Sequence, residues 1–132
     1  GSVIHANIGL SEAIPVHMLG GGTNKLLTIL LAIKAMSGGM VLIDEIENGL
    51  YYDALPAIWS AIHEAATKSS CQIVVSTHSY EVIQSAVSAF HAKGGDGDLS
   101  LFRIERLNGE SRAVVYDPEV LETAVASSLE IR

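Results

Sequence analysis

Two short, largely apolar runs constrain this chain more than any other feature and read as strands at 40–44, within "MVLIDE", and at 71–76, within "CQIVVST". A strand with one wet face alternates apolar and polar residues, so a short run that does not alternate reads as a parallel strand covered on both faces. Between the runs, Leu55, Ile58, Trp59, Ile62 and Ala66 recur at helical spacing, with Ser60, His63, Glu64 and Thr67 opposite. That pattern predicts an amphipathic helix over 53–67 lying on the sheet. Strands that alternate with helices in this way mean an α/β fold with a parallel sheet.

The flanking segments extend the alternation. Residues 23–36 carry Leu26, Leu27, Ile29, Leu30, Leu31 and Ile33 around nearly the whole circumference, which predicts a helix buried on most sides and stopped by "SGG" at 37–39. Residues 79–91 predict a second amphipathic helix through Val82, Ile83, Ala86, Val87 and Phe90, with Ser79 as its N-cap. After the "KGGDGD" turn at 93–98, "LSLFRIERL" and "RAVVYD" form a hairpin about Asn108-Gly109, and Asp117-Pro118-Glu119 opens a last helix to about 130. At the other end, 3–8 and 13–19 read as two short strands or a hairpin. Gly1-Ser2 reads as a tag-cleavage scar, which leaves 3–132 as a single domain.

Composition narrows the partners. A net charge of −7, from 15 acids and 8 bases, argues against direct nucleic-acid binding by this domain. The lone Cys71 cannot pair within the chain and fits a reducing compartment, so the cytoplasm is the expected location. The run "LLTILLAIKAM" is interrupted by Lys34 and falls short of a membrane span, and no signal peptide is read at the start. The remaining histidines, His5, His17, His63 and His91, show no metal-ligand spacing.

The stretch "VHMLGGGTNKLL" at 16–27 has the strand, glycine loop, lysine and helix of a phosphate cradle. A Walker A loop needs glycine before its lysine and a hydroxyl after it. Here Asn24 precedes Lys25 and Leu26 follows, and only 22 positions separate Gly22 from Asp44. Lys25 therefore reads as a surface residue of the helix rather than a phosphate ligand.

Taken in order, "LGGGTNKLL", one helix, "MVLIDEIENGLYYDALPAIWSAI", one strand and "VVSTHSYEVI" resemble the C-terminal half of an ABC-type ATPase domain, nearest the stand-alone AAA group related to the OLD, RecF and SMC proteins. Any one of these motifs is common; three in order at matching spacing are specific. The resemblance covers about residues 14–90 and implies a partial P-loop NTPase fold that lacks the Walker A half, with a C-terminal hairpin and helix. It implies that Gly20, Gly21, Gly22 and Thr23 form the signature loop, which touches the γ-phosphate of a nucleotide held by a partner protomer. Backbone N–H groups and the positive end of the helix dipole suit that contact. By the same resemblance Asp44 is the Walker B aspartate holding Mg2+, Glu45 the carboxylate that orients the attacking water, Asn48-Gly49-Leu50 the D-loop and His78 the switch histidine. Two positions depart from the pattern: Gly20 stands where a serine is usual, and Tyr51 where related proteins often have histidine.

The implied function is that of a C-terminal ATPase lobe, using ATP and Mg2+ only in an assembly whose Walker A half is supplied elsewhere. The isolated chain is expected to be inactive. The alternative is a catalytically silent interaction module that docks on an ATPase or self-associates; a fragment without function is a third reading. In the family fold the strand feeding Walker A lies beside the 71–76 strand, so its absence exposes an apolar edge. The expected repairs are insertion of the 99–116 hairpin or the 3–8 segment, or, as the favoured outcome, self-association.

Overall fold

The computed structural model describes residues 5–6, 14–15, 22–117, 120–121 and 123. The elements run β1 (His5–Ala6), β2 (Ile14–Pro15), α1 (Thr23–Ala35), β3 (Met40–Ile43), a 3-10 turn (Tyr52–Ala54), α2 (Leu55–Ser69), β4 (Gln72–Val75), α3 (Tyr80–Ala92), a second 3-10 turn (Asp96–Asp98), β5 (Leu101–Leu107) and β6 (Glu110–Tyr116). The architecture is α/β. β3 and β4 pair in parallel, Met40 opposite Gln72 through Ile43 opposite Val75, and α2 makes the crossover between them. β1 pairs antiparallel with β2, and β5 with β6. Most of 3–8 and 13–19 lies outside the described residues.

Local chemistry sets the element ends. Ser79 caps α3 as expected, its hydroxyl accepting the Val82 N–H at 3.4 Å. Pro56 sits in the first turn of α2, where a missing N–H costs nothing. The hairpin turns through Asn108 and Gly109 at φ 52° and 86°, the left-handed pair that a two-residue hairpin requires. Of the expected last helix, residues 120, 121 and 123 are helical and the Leu121 N–H donates to the Asp117 carbonyl at 2.9 Å. Pro118, Glu119 and 124–130 lie outside the described residues.

The core is one cluster in which α2 lies between α1 and α3. Leu26, Ile29, Leu30 and Ile33 of α1 meet Ile58 and Ile62 of α2, and Val82, Ala86 and Phe90 of α3 close the other side. Ile43 of β3 and Ile46 join them, with Val41, Ile73 and Val75 packed against the cluster. The Trp59 indole N–H donates to the Val82 carbonyl at 3.2 Å and its ring meets Phe90 edge-on, which fixes α2 against α3. A smaller cluster of Val87 and Leu121, with Leu101 and Tyr116 packed on it, seats the hairpin on α3. No helix among the described residues is long and apolar enough to cross a membrane.

Three expectations need correction. β3 is not covered on both faces: its burial alternates, leaving Met40 and Leu42 exposed, with Leu42 at 72%. Val74 of β4 is exposed on the same side. The physical reason is that the helices pack against the face bearing Val41, Ile43, Ile73 and Val75, and nothing among the described residues covers the other. Likewise α1 buries one stripe only, and Leu27 and Leu31 face outward. The hairpin repair does not occur, because among the described residues β4 pairs with β3 alone and the hairpin docks on α3 instead; of the 3–8 segment only His5–Ala6 is described, paired with β2.

Candidate functional site

The parallel register that sets Ile43 opposite Val75 carries the chain on to place Asp44 and Ser76 side by side at the C-terminal ends of β3 and β4. The ladder continues one step past the strands: the Ser76 N–H donates to the Ile43 carbonyl at 2.8 Å, and the Ile46 N–H to the Ser76 carbonyl at 3.2 Å. The Ser76 hydroxyl is thereby held between two groups. It donates to Asp44 Oδ1 and accepts the Glu45 N–H at 2.9 Å. Open parallel sheets bind ligands at this end of their strands.

Glu45 turns the chain with φ 45°, a left-handed conformation unusual for a residue with a side chain. Its side chain is 47% exposed, and Oε2 accepts from the Asn48 side-chain amide at 2.6 Å. His78 lies across the gap, with Nε2 3.9 Å from Glu45 Oε1 and the ring 86% exposed. The structure therefore brings Asp44, Glu45, Asn48 and His78 to one open edge of the sheet, where an incoming group could meet all four.

Glu47 faces the other way. Its Oε1 accepts the backbone N–H of His78 at 2.9 Å, tying the loop after β3 to the loop after β4. Burial pushes the Glu47 carboxyl up, but the His78 N–H and the Thr77 hydroxyl outweigh it and hold the group below the usual carboxylate value.

Thr23 opens α1, and Gly22 immediately precedes it without a side-chain cap; Gly20 and Gly21 lie outside the described residues. Gly22 is buried against the Asn48-Gly49-Leu50 loop, where a Cβ would stand 2.8 Å from the Gly49 carbonyl oxygen and 2.7 Å from Leu50 Cδ2. Only glycine permits that approach. The glycine loop and the loop after β3 are thus packed together, and an open groove of about 470 Å3 runs from Lys25 and Asp44 along α1 and β3.

Three participants escaped the sequence reading. Ser76 was legible as the first hydroxyl after an apolar strand, at the residue facing Asp44. Glu47 gave no signal beyond its place in "DEIEN". Lys25 is not a plain surface residue: its Nζ donates to the carbonyl oxygens of Glu45 and Asn48, each at 2.9 Å. Among the described residues no three His, Cys, Asp or Glu side chains gather in a way that could hold a metal ion by themselves.

Comparison with known proteins identifies the family of the chain. No curated protein matches the chain. A solved structure described as "Structural biochemistry of ATP-driven dimerization and DNA stimulated activation of SMC ATPases" is similar over 92% of this chain and 69% of that one, with a TM-score of 0.54 and 16% identity. At that identity the likeness shows a shared P-loop NTPase-like fold. The sequence profile of the family described as "AAA domain, putative AbiEii toxin, Type IV TA system" matches residues 2–84, more than half of the chain. The chain belongs to this AAA-domain family and is an AAA/ABC-type ATPase-like domain.

Proposed function

We propose that Asp44, Glu45 and His78 form the hydrolytic edge of a Mg-ATP site whose main phosphate cradle comes from residues outside this sequence, in the same protein or a partner. One observation carries this reading: Ser76 fixes the Asp44 carboxylate and the Glu45 backbone together while the Glu45 and His78 side chains stay exposed, 3.9 Å apart. The donor chemistry fits Mg2+, which takes carboxylate oxygen and completes its shell with water and phosphate rather than with an all-protein cage. Asp44 would hold the ion, which when bound offsets charge on the phosphate oxygens.

The chain's own residues divide the remaining work. The Glu45 carboxylate accepts a proton from a water and orients it, while Asn48 holds Oε2 and Oε1 lies toward His78. His78 places an imidazole N–H donor beside that water. By the family resemblance the 20–23 loop (Gly20, Gly21, Gly22, Thr23) would contact a phosphate bound on another protomer; of these, Gly22 and Thr23 stand at the start of α1, where the aligned dipoles of a 13-residue helix favour an anion. The dimerization named for the similar SMC ATPase structure supports a self-associated arrangement, in which each glycine loop serves the other's site. Its DNA stimulation is not carried over to this lobe, whose net charge of −7 disfavours direct contact with nucleic acid.

A second reading rests on the bare sheet face. Met40, Leu42 and Val74 expose apolar surface beside strand edges that no described residue pairs, which suits a catalytically silent module that docks through this face. Calorimetric titration of the chain with Mg-ATP separates the proposals from a self-sufficient ATPase. Very weak or undetectable binding is expected, and micromolar affinity would refute the need for an outside cradle.

A further inference from the structure

Lys25 lies in the first turn of α1, three residues past Gly22. An ammonium offers three donors and no acceptor. Two of the three are committed here to backbone carbonyls, those of Glu45 and Asn48, both at 2.9 Å. These carbonyls bracket the turn in which the Asn48 N–H donates back to the Glu45 carbonyl at 3.1 Å. Glu45 within it stands at φ 45°. A residue with a side chain holds such a conformation only where its surroundings impose it. Ser76 imposes it from the sheet side, through the Glu45 N–H. Lys25 imposes it from the helix side, through the Glu45 carbonyl. Independently, Gly22 packs so closely on Gly49 and Leu50 that no Cβ fits between them.

We infer that Lys25 is a positioning residue that clamps the start of α1 to the Glu45 turn, so that the glycine-loop end of α1 and the Glu45 carboxylate move as one unit. The meaning of this coupling rests on the proposed function: a phosphate contact made by the glycine loop at a partner's site would be felt at the carboxylate of the chain's own site. Lys25 makes no contact with phosphate in this scheme.

The test is nuclear magnetic resonance of the chain with Lys25 intact, with Lys25→Met, which keeps the length and removes the donors, and with Lys25→Arg, which restores them. Three signals report the clamp: the Glu45 amide bonded to Ser76, the Asn48 amide bonded to the Glu45 carbonyl, and the Asn48 side-chain amide on the Glu45 carboxylate. In the methionine variant the two backbone amides should exchange at least about tenfold faster, and the Asn48 side-chain signal should move to the position of a free amide. Amides of α2 and α3 should keep their rates, and arginine should restore all three signals. The inference is overturned if Lys25→Met leaves these signals unchanged, or if it speeds exchange equally at every amide, as a residue of general stability would. Should Lys25→Met fail to fold, Lys25→Gln, which loses the charge and shortens the reach, is read by the same three signals. A separate titration with inorganic phosphate, followed at the Gly22 and Thr23 amides, tests the glycine-loop reading alone. A null result there leaves the clamp standing, and a failed clamp leaves the loop reading standing.

Discussion

Glu47→Gln isolates the tie between the loops that carry Glu45 and His78. Glu47 Oε1 accepts the His78 backbone N–H at 2.9 Å. A hydrogen bond to an ionised group contributes about 1.5–3 kcal/mol against about 0.5–1.5 kcal/mol for a neutral pair. Glutamine keeps the acceptor and loses the charge, so the difference sets an upper range of about 1–1.5 kcal/mol. Partial burial of the carboxylate offsets some of that gain, which puts the expected loss at about 1 kcal/mol. The sign of the pH dependence follows from the depressed folded pKa. Its stabilisation is fully present above the ordinary carboxylate value of 4.5 and is lost as pH falls through the lower folded value. The assay is urea unfolding followed by the fluorescence of Trp59, which is 6% exposed in the fold. At pH 7 the variant's midpoint should drop by about 0.3–1 M, given slopes of about 1–3 kcal/mol/M. The gap should narrow steadily below about pH 4.5. A gap of the same size at neutral and acid pH, or none at pH 7, would refute a role for the Glu47 charge in holding the His78 loop.

Gly22→Ala should destabilise the fold by about 1–3 kcal/mol, because the new Cβ meets the Gly49 carbonyl oxygen at 2.8 Å and a backbone atom cannot swing aside; an unchanged thermal midpoint would show that the two loops are not packed as described. Ile58→Ala removes a side chain that is 1% exposed at the centre of the helical layer and should cost about 2–5 kcal/mol by urea unfolding. A loss below 1 kcal/mol would contradict the position of α2 in the core. Leu42→Lys, at a residue 72% exposed on the bare sheet face, should change the stability of the monomer by less than about 0.5 kcal/mol while shifting light scattering toward monomer. Equal scattering from both proteins would remove this face from self-association.

The parts of the fold that were legible in the sequence are those set by local pattern. "MVLI" and "QIVV" became the parallel pair, Ser79 became a cap, and Asn108-Gly109 became the hairpin turn because only a left-handed pair joins those strands in two residues. The spacing that carries Asp44, Glu45 and His78 past the ends of adjacent strands was legible for the same reason. What a covered strand needs as a neighbour was not. An apolar run predicts cover on both faces of β3, and Leu42 and Val74 show that no described residue of the chain supplies the second cover. Lys25 and Glu47 were hidden for another reason. Each acts through contact with a backbone group far along the chain, at separations of 20 to 31 residues, and such contacts leave no periodicity in the sequence.

The central claim is that Glu45 serves ATP hydrolysis once a phosphate cradle is supplied. The measurement that tests it most directly is phosphate release from Mg-ATP by this chain alone and together with a Walker A-bearing segment, for the natural sequence and for Glu45→Gln. The account predicts no release by the chain alone, release by the complemented assembly, and a fall of about 10²–10⁴-fold in Glu45→Gln with nucleotide binding retained. Turnover by the chain alone, or an assembly whose rate is unchanged by Glu45→Gln, would contradict it.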